Sequence, residues 1–258
     1  MIMNQIVQRE SNFELLRIIC MVFIVWGHLM IAYSGNRDIA GLDYIEPHFV
    51  RSFTVVAVNV FVLISGYFSI SFKFSKLLKL GEQVWFYSVA LFVFAVVMGW
   101  HEIQPVKDIG YLVPIFSKKY WFITIYAILC FLSPMLNKMS VSISKDNFKS
   151  ILIIGFFLIY VWHTIGFILN FSLPIEDAGY GLPNFIYLYL FGRYLKIHCS
   201  LSESKGNFLI GYFFTGVLLF VFQLSYSLFL GFSFTSLYSY NTVFVFVGGD
   251  FYSCFLQG

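Results

Sequence analysis

Charge is what this sequence has least of. Aspartate, glutamate, lysine and arginine make up 11% of the 258 residues, against roughly 25% in a soluble domain. So few ionised groups cannot cover a water-facing surface when 59% of the residues are hydrophobic. A soluble fold is therefore excluded, and the solvent is a bilayer. The net charge is only +3, which supplies no basic field for nucleic acid, and none is expected as a partner. Cysteine is scarce as well. Cys20, Cys130, Cys199 and Cys254 show neither CxxC nor metal-ligand spacing, so no metal site is expected, and Cys20 and Cys130 fall in apolar runs where a thiol acts as a small hydrophobe. Internal repeats, low-complexity tracts and Pro- or Ser-rich linkers are missing, which implies one bundle and a single domain over residues 1–258. No small-x-small cleavage site follows the first apolar run, Ile18 to Tyr33, so that run is expected to stay as the first helix.

What the chain does have is aromatic and aliphatic bulk. With 33 Phe and 17 Tyr, aromatics reach 21%, a composition suited to lipid-facing surfaces and headgroup belts. At about 20 residues per span, this length holds about seven to nine helices. Apolar stretches run at about Phe13 to Tyr33, Phe53 to Phe72, Val84 to Trp100, Trp121 to Leu136, Ile151 to Phe171, Leu182 to Leu195, Phe208 to Leu230 and Tyr238 to Leu256. The fold class is therefore all-α, a polytopic transmembrane helix bundle of about eight spans. The fourth and sixth stretches are short, and their ends are expected to extend into neighbouring polar residues. In the eighth, Gly248, Gly249 and Asp250 are expected to interrupt the helix. Counting Lys and Arg between spans with a cytoplasmic N-terminus puts 11 inside and 5 outside, Arg37, Arg51, Lys107, Lys118 and Lys119 being the outer set. That asymmetry favours an inside N-terminus.

Polar groups inside spans are costly and usually face a cavity, so they are the first candidates for chemistry. In the first helix Arg17 and His28 are eleven residues apart, close to three turns, which places them on one face about 16 Å apart along the axis. Glu14 lies one turn before Arg17, where an i, i+3 pair can orient the guanidinium. A permanent cation near one headgroup layer and an imidazole at depth could hold a long phosphate-bearing molecule lengthwise. Desolvation favours a neutral imidazole able to take a proton from an attacking hydroxyl. An equally open reading has Arg17 snorkelling to the interface and His28 capping a neighbouring carbonyl. The small pair Ser65-Gly66 allows close helix approach, Lys73, Lys76 and Lys79 form a basic stripe of the kind that usually marks topology, and Tyr120-Trp121-Phe122 has the character of an aromatic belt.

Together these blocks resemble the acyltransferase 3 family of membrane acyltransferases, which includes many bacterial surface-polysaccharide O-acetyltransferases. The resemblance rests on Asn12-x-Glu14-Leu15-Leu16-Arg17-Ile18-Ile19 with Arg17-x10-His28, on Ser65-Gly66-Tyr67-Phe68, and on Tyr120-Trp121-Phe122-Ile123-Thr124-x-Tyr126 running to Ser133-Pro134-x-Leu136-Asn137. It implies an O-acyltransferase that moves an acetyl or other short acyl group from cytoplasmic acyl-coenzyme A to a carbohydrate hydroxyl at the outer face, in a bacterial plasma membrane. It also implies that His28 is the catalytic histidine and that Arg17, with Glu14 beside it, engages the coenzyme's phosphates. Lys76 and Lys79 stand where family members often carry an arginine-rich motif. Ser65 and Gly66, with Tyr67 and Trp121, would line the acyl path. Because family members usually have more spans than the eight seen here, the resemblance leads to the expectation of a C-terminally truncated chain. Two other functions compete. A transporter or exporter would use His28 as a proton relay, but such proteins typically show paired halves and no repeated hydropathy pattern appears. A partner subunit without chemistry of its own is the third.

Overall fold

Inside hydrocarbon the backbone must satisfy its own hydrogen bonds, and the computed structural model is built on that rule. It describes residues 11–34, 42–117, 120–169, 171, 177–199, 205–230 and 236–257, which contain α-helices and no strand. In chain order the helices are α1 Ser11–Ser34, α2 Leu42–Thr54, α3 Ala57–Tyr67, α4 Phe74–Val97, α5 Pro105–Leu112, α6 Trp121–Ser142, α7 Lys145–Phe156, α8 Trp162–Ile168, α9 Leu182–His198, α10 Lys205–Leu230 and α11 Val243–Gln257. Among the described residues six stretches are long and apolar enough to cross a membrane: Asn12–Met30, Ile45–Tyr67, Phe74–Val97, Trp121–Ser142, Lys145–Gly166 and Leu209–Phe229. The second joins α2 to α3 through a turn at Val55 and Val56, where Val55 N–H bonds the Arg51 carbonyl and Val60 N–H the Val56 carbonyl, each at 3.0 Å. The fifth runs from α7 into α8 through a π-turn at Phe157–Val161.

α3 is the centre of the bundle. Val56, Val60 and Ile64, spaced by four, pack into a cluster with Phe13, Leu16 and Cys20 of α1, Leu219 of α10 and Val245 of α11. Val58 and Val62, on another face, enter a second cluster with Leu129 of α6, Phe148 of α7 and Leu188 of α9. A helix that is apolar all round is a buried one, and α3 with its nine buried residues fits that rule. Its approach to α9 is limited by glycine. A Cβ on Gly66 would lie 2.2 Å from the Tyr189 carbonyl oxygen, and one on Gly192 would lie 2.3 Å from that of Leu63. The two backbones touch where each helix has no side chain, the way apolar helices associate in lipid. α4 behaves differently. Ser88 is its only buried residue, while Trp85, Phe86, Leu91 and Phe94 are exposed and suited to lipid.

Several element boundaries depart from the sequence expectation for a common reason. The helix of the second span, α2, starts at Leu42 and not at Phe53, and that of the third, α4, starts at Phe74 and not at Val84. Polar residues ahead of the expected starts, among them His48 and Arg51 in α2 and Lys76, Lys79 and Glu82 in α4, continue the helix, because a polar or charged side chain does not break helical hydrogen bonding. The fourth and sixth stretches do extend through polar residues, to Ser142 and His198. Gly248, Gly249 and Asp250 do not interrupt α11, which is continuous from Val243 to Gln257. The Gly248 and Gly249 positions face Thr215 of α10 and Val60 of α3, so their smallness serves close packing.

Candidate active site

Two polar pockets open at different levels, and both are lined by α1, the α2–α3 span and α6. The first has a cavity of about 320 Å³ lined by Arg17, Ser65, the turn from Phe68 to Lys73, Lys76, Tyr126 and Cys130, among others, a size within the range of small-molecule sites. Its cation is positioned from both sides. Arg17 donates from Nη1 to Glu14 Oε1 at 3.0 Å, and the guanidinium carbon lies 5.4 Å from the centroid of the Phe68 ring. Phe68 is itself set edge-on against Phe13 at 4.6 Å. Lys73 and Lys76 add two exposed ammonium groups on the far wall. On α3, Ser65 donates to the Phe61 carbonyl at 2.9 Å, and its hydroxyl is 3.2 Å from that of Tyr126.

The turn that closes this pocket is held by the Ser133–Asn137 block of α6. Tyr189 of α9 accepts from Ile70 N–H at 3.0 Å and donates to Asn137 Oδ1 at 2.7 Å. Asn137 Nδ2 in turn donates to the Ile70 carbonyl at 3.2 Å, and Ser133 reaches the same oxygen at 3.3 Å. Ser69, one residue earlier, takes a positive φ of 61°, a conformation that persists where neighbours hold it. Replacing Asn137 with leucine is expected to leave the Tyr189 hydroxyl and the Ile70 carbonyl short of a partner, at a cost of about 1–3 kcal/mol. A thermal melt of the detergent-solubilised protein should show the drop, and an unchanged midpoint would remove this anchoring role.

The second pocket is smaller, with a cavity of about 100 Å³ whose lining includes Gly27, His28, Arg51, Thr54, Val58, Trp121, Tyr180, Tyr238 and Tyr240. His28 is exposed here and makes no hydrogen bond with a described residue. The aromatic walls contact one another, Trp121 with Tyr180 at 4.5 Å and Tyr180 with Tyr240 at 5.0 Å. Tyr240 is fixed through its backbone, with Asn59 donating to its carbonyl at 2.7 Å and its N–H bonding the Ala178 carbonyl at 3.0 Å.

Between the pockets, Phe61 of α3 and Phe122 of α6 meet at 5.8 Å, and Tyr126 stacks on Phe122 at 5.7 Å. Along α3 the order is Val58, Phe61, Ser65, and along α6 it is Trp121, Phe122, Tyr126, so the Phe61–Phe122 contact falls, in chain order, between the residues that line the two pockets, as an aromatic partition. Arg17 lines one pocket and His28 the other, about 16 Å apart along α1.

Of the residues singled out from the sequence, Arg17, Ser65 and Lys76 line the first pocket, with Glu14 bonded to Arg17, while His28 and Trp121 line the second. Gly66, Tyr67 and Lys79 line neither. Gly66 faces α9 because only a residue without Cβ fits there. Tyr67 stacks on Phe13 at 5.1 Å and accepts from Lys196 Nζ at 3.4 Å. Lys79 lies one turn beyond Lys76 on α4 and is exposed. Sequence reasoning missed Arg51, Tyr126, Tyr180, Tyr238 and Tyr240. Tyr126 was visible inside the Trp121 block, whereas the others come from segments far apart in the chain that meet only in the fold.

Six stretches long and apolar enough to cross a membrane, with two pockets lined by three of them, define a multi-pass membrane protein. The chain belongs to the acyltransferase 3 family, whose model, described as an acyltransferase domain, matches residues 10–257. Comparison with curated proteins and with solved structures yields no significant match. The protein is thus a membrane acyltransferase.

Proposed function

We propose that this acyltransferase takes an acetyl or other short acyl group from acyl-coenzyme A on the cytoplasmic side and places it on a carbohydrate hydroxyl at the outer face of a bacterial plasma membrane. The observation that supports this most is the distribution of charge and base along α1: Arg17 in the larger pocket with Lys73 and Lys76, His28 in the smaller one among aromatic rings. With the N-terminus inside, the cationic pocket takes the phosphates of the coenzyme, whose oxygens match the guanidinium fork. The pantetheine arm extends past Ser65 and Tyr126 toward the Phe61–Phe122 partition, and the acyl thioester reaches the level of His28. A sugar ring presents its C–H faces to Trp121, Tyr180 and Tyr240.

The chemistry balances with one base. The imidazole of His28 takes the proton of the acceptor hydroxyl as its oxygen attacks the thioester carbonyl. The carbon–sulfur bond breaks, the proton passes to the departing thiolate, and the products are the sugar ester and free coenzyme A.

Membranes containing the protein, supplied with radiolabelled acetyl-coenzyme A and candidate glycans, should yield labelled glycan. Movement of an unmodified glycan with no label transferred would overturn the reading in favour of transport. Arg17→Ala is expected to raise the KM for acetyl-coenzyme A about ten- to a hundredfold, the loss of about 1.5–3 kcal/mol for hydrogen bonds to a charged group. Arg17→Lys should fall between. A change in kcat alone would argue that Arg17 does not hold the donor.

A further inference from the structure

The second pocket contains a cation that acyl transfer to a neutral hydroxyl does not need. Arg51, in the last turn of α2, lines it with His28, and its guanidinium carbon stands 4.7 Å from the centroid of the Tyr238 ring. No carboxylate among the described residues pairs with it. Glu14 is engaged by Arg17 and Asp108 by His101, and the pocket lining holds neither Asp nor Glu. Asp177, near the rim in sequence, accepts from Gly179 N–H at 2.8 Å. A guanidinium has five N–H donors around its edge, and an aromatic ring answers only its face. Keeping such a group half-buried without an anion is costly, and it is what a site for an incoming anion requires.

The platform beneath the guanidinium is set in advance. The Tyr238 hydroxyl donates to the His48 carbonyl at 3.0 Å, and its ring stacks on the His48 ring at 5.5 Å. Arg51 is thereby aimed into the pocket by contacts that no ligand has to form.

We propose that Arg51 is a specificity-determining residue on the acceptor side, binding an anionic group carried by the acceptor, a sugar carboxylate or a phosphate joined to the sugar. Holding that anion fixes which hydroxyl stands beside His28, since an Arg–oxyanion pair is directional as well as strong. This deepens the function proposed above and rests on it for naming the ligand as the acceptor. Binding of the anion can be measured without turnover.

The full chain in detergent micelles is titrated with four probes: a glucuronate-containing tetrasaccharide, the same oligosaccharide with its carboxyls reduced to alcohols, a polyprenyl diphosphate-linked sugar, and that sugar free. Tryptophan fluorescence reports binding, because Trp121 is in the pocket. At least one anionic probe should bind about tenfold or more tightly than its neutral counterpart. Arg51→Gln should erase that preference while leaving the neutral probe within about twofold of wild type. Whichever anionic probe shows the preference tells carboxylate from phosphate. Arg51→Lys, which keeps the charge and loses the fork, should retain only part of the preference, and it carries the test should the glutamine variant not fold. Equal binding of anionic and neutral probes, no binding of either anionic probe, or a preference untouched by both substitutions would overturn the assignment. Failure of the acyl-transfer reading shows elsewhere, as absence of label transfer by the wild-type protein.

Discussion

His28→Ala is expected to lower acyl transfer by about 10²- to 10⁴-fold, the span general bases usually contribute, while membrane insertion and folding stay as they are. The selectivity of that loss follows from the surroundings. The imidazole is exposed at the second pocket and bonds no described residue, so removing it leaves no buried partner unsatisfied and little stability is at stake. In the proposed mechanism its contribution is confined to the proton of the attacking hydroxyl. Label transfer from acetyl-coenzyme A in membranes measures the rate, and size-exclusion chromatography in detergent checks the fold. His28→Gln should be as inactive, because an amide of similar size cannot take the proton. Retention of wild-type rates by either variant would end the role of His28 as base.

A second large effect is expected on folding rather than chemistry. Gly66→Ala puts a methyl 2.2 Å from the Tyr189 carbonyl oxygen and 2.8 Å from that residue's carbonyl carbon and Cα. Those atoms are backbone of a packed helix and cannot swing aside, so α3 and α9 must separate. Overpacking of this kind costs about 1–3 kcal/mol, and more where no rotamer relieves it. Gly192→Ala should behave alike, with its new Cβ 2.3 Å from the Leu63 oxygen. Both variants should melt well below wild type in detergent, and the double variant should not recover the loss. If either alanine variant melts with the wild type, the close helix contact is not a determinant of stability.

The sequence made some of this legible and hid the rest for physical reasons. α1 could be read almost whole, since a period of 3.6 fixes which residues share a face, and the Glu14–Arg17 pair formed as spacing required. Helix starts were misplaced because hydropathy marks where a chain enters lipid, whereas the helix of α2 or α4 begins turns earlier among charged residues. The Ser65-Gly66 pair divides its work in a way no linear motif announces, Ser65 toward a pocket and Gly66 toward α9. Arg51 counted in the sequence only as one more cation between spans. Its significance depends on Tyr238, 187 positions later, being carried under it by the packing of α2 against α10 and the segment before α11.

The aromatic partition has a bearing on the membrane as an insulator. A hydrated path between two polar cavities would short-circuit the ion gradients a living cell maintains, and the contacts of Phe61 with Phe122 and Tyr126 fall between the residues that line the two. An uncharged thioester tail can slip past such rings, whereas a solvated ion would have to shed its water to do so. On the proposed route from one compartment to the other, such rings would let a chemical group through and still keep the electrical seal.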